Sequence, residues 1–103
     1  MKILAVEKDK PGISQEKMQN YLKEESARAW ELYQDGILRE LYFRADFPAA
    51  ILILEAASVD EAKKALATLP LVREGLVDFE VIPLVPYAGF ARLFGSMDPF
   101  FQP

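Results

Sequence analysis

The chain has no cysteine and no histidine, and only one tryptophan and five glycines among its 103 residues. Without cysteine there is no disulfide framework, no thiolate nucleophile and no zinc-thiolate site; without histidine there is no imidazole base and no Ser-His-Asp triad. Acid-base chemistry is thereby confined to carboxylates, tyrosine, lysine, arginine or a borrowed cofactor. No glycine-rich phosphate loop is visible and no loop has the spacing of a calcium site, so the reading calls for neither cofactor nor metal. Basic residues are few as well. Twelve against sixteen acidic ones leave a net charge of −4, which provides no electrostatic footprint for nucleic acid or anionic lipid. No stretch approaches the roughly 18 apolar residues of a membrane span, and the run Ile3 to Val6 meets Glu7 too soon for a signal-peptide core. The expectation is a soluble, cytoplasmic protein with neither nucleic acid nor membrane as partner.

What is present is a composition of 51% hydrophobic and 27% charged residues, that of one compact domain. Ile3 to Val6 reads as a buried strand ended by the turn signals through Pro11-Gly12. Ser14 is a helix N-cap, and Met18, Tyr21, Leu22, Ala29, Leu32 and Tyr33 recur at helical spacing until Gly36, which predicts one long helix over residues 15–35. Residues 37–44 and 49–56 are β-rich runs whose connection, Ala45-Asp46-Phe47-Pro48, is short enough to force an antiparallel hairpin. Ser58 with Glu61 forms a capping box, and the helix it opens is expected to run to Pro70. Residues 77–82 alternate and end at Pro83, as suits an edge strand.

The order β-α-β-β-α-β defines an α+β, ferredoxin-like plan: a four-stranded antiparallel sheet with two helices on one face. The third strand, Ala50-Ile51-Leu52-Ile53-Leu54, is apolar at every position, so both its faces need cover. Two helices cover one. The economical cover for the other is a second copy of the chain, packed sheet to sheet as a homodimeric α/β barrel; the alternative is that the C-terminal segment folds back over it. Residues 1–86 are expected to form the domain. Residues 87–103, with Tyr87, Phe90, Leu93, Phe94, Met97, Phe100 and Phe101, are expected to form an aromatic arm that grips a neighbouring subunit or lids a cavity.

Residues 36–81 resemble the muconolactone isomerase-like family of the dimeric α/β-barrel superfamily. The resemblance rests on Gly36 with Arg39 entering the hairpin, Ser58-Val59-x-Glu61-Ala62 opening the second helix, Leu69-Pro70-Leu71 closing it, and Asp78-x-Glu80-Val81 in the last strand. It implies a sheet-to-sheet dimer enclosing a ligand cavity, higher assembly, and a cofactor-free proton shift on an unsaturated lactone. The sequence departs from the family in its first strand, where Leu4 and Val6 stand in place of polar, ionisable side chains.

Candidate chemistry falls on the second and third strands. Alternation separates Ile37, Arg39, Leu41 and Phe43, read as helix-facing, from Leu38, Glu40, Tyr42 and Arg44. If Arg44 pairs with Ala49, then Glu40, Tyr42 and Arg44 share a face with Ile51, Ile53 and Glu55. On that face Glu55 and Glu40 are the candidates to move a proton. Tyr42 can donate to a carbonyl, Arg44 can hold a carboxylate in two-point fashion, and Arg39 is a further ligand-binding candidate. The other reading of the same side chains is a solvated cross-strand ion-pair cluster at the sheet rim. Trp30 reads as core packing or ligand stacking, and Asp78 and Glu80 as solvated edge charges. The functional expectation is a small-molecule-binding, cofactor-free isomerase. The alternatives are a non-catalytic ligand-binding or assembly module and a cofactor-free oxygenase on the same fold.

Overall fold

A computed structural model of the chain describes residues 1–8 and 10–95. Its elements follow in the order β1 (Lys2–Lys8), α1 (Gln15–Gln19), α2 (Leu22–Gln34), β2 (Leu38–Phe43), β3 (Ala50–Glu55), α3 (Val59–Leu66), α4 (Pro70–Arg73), β4 (Asp78–Leu84) and a 3₁₀ helix (Gly89–Phe94). The strands form one antiparallel sheet in the order β2-β3-β1-β4, the topology expected from the sequence. The hairpin puts β2 beside β3, and the Arg44 amide donates to the Ala49 carbonyl at 2.9 Å. Because β4 lies at the edge, it tolerates Pro83 and runs past it to Leu84, two residues beyond the expected end.

Local chemistry sets the helix ends. Ser14 and Ser58 accept from the amides of Lys17 at 3.3 Å and Glu61 at 3.1 Å. After α2, Gly36 takes φ +78°, with its amide on the Tyr33 carbonyl and that of Ile37 on Leu32, a Schellman stop that a side chain at Gly36 would strain. The single helix expected over residues 15–35 is instead two, split at Asn20 and Tyr21. The reason lies in packing. Met18 and Tyr21 pack on the cluster of Leu71, Leu76 and Val77, whereas Ala29 and Leu32 pack on the core over the sheet. Pro70 also acts differently from expectation. Helix α3 ends at Leu66, and Pro70 starts α4 from an extended Leu69, as its fixed φ and missing amide suit a first helical position.

Pairing of Ile3 with Leu54 and Ala5 with Leu52 aligns the core face, on which Leu32 of α2 and Ala62 and Leu66 of α3 are packed. Pairing of Leu4 with Ile53 and Ile82, and of Val6 with Ile51, puts a second apolar set on the opposite face. The sheet is therefore apolar on both sides. In β2 the alternation is interrupted: Leu38 pairs with Leu54 and Glu40 with Ile53, so Arg39 is the extra residue of a β-bulge. Leu38, expected away from the helices, is consequently fully buried in the core, while Leu41 and Phe43 keep the helix-facing side. Beyond β4, Val85, Tyr87, Phe90, Leu93 and Phe94 are exposed, Phe94 to 82%, with Tyr87 and Phe90 in edge contact at 5.1 Å. Met97, Phe100 and Phe101 of the expected arm lie outside the described residues. No helix among the described residues is long and apolar enough to cross a membrane.

Candidate active site

A cavity of about 790 Å³ lies between α2 and the helix-facing side of the sheet. Helix α2 supplies Leu22, Glu25, Ser26, Ala29, Trp30 and Tyr33, whose spacing of three and four residues makes one continuous stripe. The opposite wall is Leu38, Leu41, Tyr42 and Phe43 of β2, with Ala50 and Leu52 of β3, Glu7 of β1 and Phe79 of β4. Leu71 of α4, with Leu69 and Val77 on either side of that helix, completes the lining. Trp30 and Tyr33 stack at 5.7 Å between ring centroids and make an aromatic rim. The subunit thus holds a cavity of ligand size by itself, on the face of the sheet opposite the one expected to line a dimer cavity.

Two carboxylates enter this apolar space, and a backbone amide holds each. Glu25 accepts from the Leu71 amide at 2.9 Å, and Glu7 accepts from the Ala50 amide at 3.1 Å. Burial pushes the Glu25 carboxyl above the ordinary carboxylate range; the Leu71 amide pulls against this, and the nearby Glu7 charge adds to it. The Arg73 charge also pulls the Glu25 carboxyl down, and burial outweighs both opposing effects. The sequence reading missed both residues. Glu7 follows Ile3 and Ala5 by twos, so alternation puts it on the core face rather than in the turn. Glu25 lies three residues after Leu22 and four before Ala29, inside the apolar stripe rather than on the solvated face suggested by Lys23-Glu24.

The structure distributes the sequence-derived candidates as follows. Glu40 and Tyr42 do lie on the face of Ile53 and Ile51, and the Tyr42 hydroxyl donates to Glu40 at 2.6 Å, which holds that hydroxyl above the usual phenol range. Tyr42 also reaches the cavity wall. Glu55 pairs with the Met1 ammonium at 3.4 Å at the far end of the sheet. Arg39 donates to the Gly36 carbonyl at 2.6 Å, fastening the bulge to the end of α2. Arg44 makes two bonds to Asp46, at 2.9 and 2.6 Å, and lies 3.8 Å over the Phe47 ring, within the hairpin loop. The Arg44 bond holds the Asp46 carboxyl below its usual range. Trp30, read as core or ligand-stacking, is 59% exposed and lines the cavity.

A four-stranded antiparallel sheet with helices on one face and a mostly apolar cavity holding two amide-held carboxylates defines a class: an α+β, ferredoxin-like domain. The sequence pattern of the muconolactone delta-isomerase family matches residues 5–89, and the chain belongs to that family. Among solved structures, a muconolactone isomerase crystal structure superposes with a TM-score of 0.70 at 23% identity, covering 85% of this chain and 92% of that one. A 5-chloro-2-hydroxyhydroquinone dehydrochlorinase from Burkholderia phenoliruptrix AC1100, in complex with 2,5-dihydroxybenzoquinone, superposes with a TM-score of 0.59 at 22% identity, covering 84% and 96%. These likenesses establish the fold. No curated protein is similar to the chain in sequence.

Proposed function

We propose that the chain is a cofactor-free enzyme that binds a small unsaturated lactone or related cyclic carbonyl compound between α2 and the sheet and shifts a proton within it. The observation that carries this reading is the pair Glu7 and Glu25 in an apolar cavity, with the Glu25 carboxyl raised by burial. In the proposed step an ionised carboxylate takes a proton from carbon next to the substrate carbonyl. The electron pair moves into the conjugated enolate, and a carboxylic acid returns a proton at the far end of the conjugated system, so that the double bond moves and nothing else is consumed. Tyr42 borders the cavity, while its hydroxyl donates to Glu40 on the outer face of the sheet. Membership of the muconolactone delta-isomerase family supports the reaction class, and the quinone-bound structural relative supports a planar ring as ligand.

The test is NMR of candidate lactones in deuterated buffer with purified protein: protein-dependent deuterium incorporation is expected. Its absence across a broad panel, with binding retained, would favour a non-catalytic ligand-binding module. Loss of exchange on substituting Glu40 or Glu55, and not Glu25, would move the chemistry to the open face, with Arg39 and Arg44 as ligand anchors.

The same proposal includes assembly. The apolar outer face of Leu4, Val6, Ile51, Ile53, Ile82 and Leu84 is read as the seat of a second copy, packed sheet to sheet. The segment after β4, with Tyr87, Phe90, Leu93 and Phe94 exposed, is read as an arm that grips a neighbouring subunit or covers a cavity mouth. Deleting the residues after Tyr87 is expected to lower the oligomeric state or the melting temperature; size exclusion and calorimetry showing both unchanged would remove the arm from the proposal.

A further inference from the structure

We infer that Arg73 is a positioning residue for Glu25. By pairing with Glu24, the preceding residue of α2, it fixes the short helix α4 so that the Leu71 amide stays on the Glu25 carboxyl and a cation stays beside it. Three ties run in antiparallel order between α2 and the segment that leads into and through α4. Arg28 donates to the Thr68 hydroxyl at 2.9 Å, Glu25 accepts from the Leu71 amide at 2.9 Å, and Glu24 pairs with the Arg73 guanidinium at 3.0 Å. Arg73 also bonds Glu74 at 2.9 Å, which steadies the guanidinium on its own helix. A helix of four residues does not hold itself in place, since fixing a single turn costs more conformational entropy than its few bonds return. Leu69, its N-cap residue, offers no side-chain bond to the first turn, and the Glu25 carboxyl takes that place from α2. Where α4 sits therefore decides whether Glu25 keeps its amide.

The charges that act on Glu25 come from three elements. Glu24 on its own helix and Glu7 at the end of β1 push the carboxyl up, and Arg73 on α4 pulls it down against the larger effect of burial. Arg28, also on α2, is turned to Thr68 and Glu31, and Tyr33 of α2 and Tyr42 of β2 are the other ionisable groups among the described residues of the cavity wall. Burial alone would leave Glu25 protonated further up the pH scale, able to give a proton but poorly able to take one. Arg73 limits that rise, so that Glu25 can serve in either form, a consequence that rests on the proposed function. The pair of Arg73 with Glu24 is about half exposed on both sides and contributes little to stability, so its effect lies in where it holds α4 and the charge.

The test is an NMR titration of the full chain that follows the Glu25 carboxyl carbon and the amide proton of Leu71. In native protein the two should titrate together. Arg73→Gln should move the midpoint to higher pH and speed hydrogen exchange at Leu71, because the charge and the amide contact are lost together. Arg73→Lys keeps the charge but not the forked grip on Glu24 and Glu74, so it should speed exchange at Leu71 while holding the midpoint closer to native. Thr68→Ala cuts a neighbouring tie without removing a charge and should leave the midpoint in place. An unmoved midpoint in Arg73→Gln, or an equal shift in Thr68→Ala, overturns the inference. If Arg73→Gln does not fold, unchanged exchange at Leu71 in Arg73→Lys overturns it. The pH profile of deuterium incorporation into a lactone should follow the same upward shift in Arg73→Gln. A native protein that incorporates none across the panel loses the proposed function, and the titration still decides the role of Arg73.

Discussion

Glu25→Gln is expected to reduce proton-transfer turnover by roughly 10²–10⁴-fold, the usual contribution of one positioned general acid or base. Glutamine keeps an oxygen for the Leu71 amide, so the fold around α4 should persist while the titratable proton is lost. Deuterium exchange measured at saturating substrate checks the magnitude; undiminished turnover would remove Glu25 from the chemistry. The same substitution has a stability signature of definite sign. Because folding raises the Glu25 carboxyl above its unfolded value, the folded state binds more protons than the unfolded state in the window between the two. Stability from this group is then greatest at low pH and is lost as pH rises through that window. Relative to native protein, Glu25→Gln should melt at a similar temperature near pH 4 and at a higher one near pH 7. Such an exchange of stability for a half-buried charge is common where that charge serves function.

The second large effect is expected on β3, where two neighbouring positions should respond in opposite ways. Leu52 is 5% exposed in the core under the helices, and Ile53 points to the outer face beside Leu4. Leu52→Glu would bury a charge with no partner and should cost more than about 4 kcal/mol, most of a small domain's stability, leaving an unfolded chain. Ile53→Glu should leave the subunit's circular dichroism intact and prevent the proposed sheet-to-sheet assembly, giving a monomer in ultracentrifugation. An Ile53→Glu protein of native oligomeric state would show that the outer face is not the assembly surface; a folded Leu52→Glu protein would contradict the core described above.

Much of the fold was legible because its signals are local. The Gly36 helix stop, the four-residue connection Ala45 to Pro48 and the Ser58 cap each act within a few residues, and each appears where the sequence puts it. The misreadings came where a distant partner decides. Asn20 and Tyr21 break the first helix because Tyr21 packs on Leu71, Leu76 and Val77, about fifty residues further along the chain. Leu38 turns into the core because Arg39 bulges out of the ladder with β3, and a simple count by twos has no means of registering an extra residue.

The candidate site divides in the same way. That Tyr42 and Glu40 share a face with Ile51 and Ile53 followed from alternation, since they lie beyond the bulge. Glu7 and Glu25 were not, because a carboxylate's exposure in sequence is indistinguishable from solvated charge until something packs over it. Here that something is Leu71 for Glu25 and Ala50 for Glu7, whose amides hold the two groups at the cavity wall.

By itself the sequence determined the βαββαβ order, the absence of thiol and imidazole chemistry, and the need to cover a strand that is apolar on both faces. Those properties depend on residue type and short-range spacing. Only the tertiary structure brought together the two carboxylates on which the proposed chemistry rests. It brings Glu7, at the end of the first strand, within the electrostatic reach of Glu25, on a helix eighteen residues later, and sets both against largely apolar walls. The physical reason is that a carboxylate becomes an acid-base group through desolvation and proximity to another charge, and both are properties of the packed chain rather than of any residue in it.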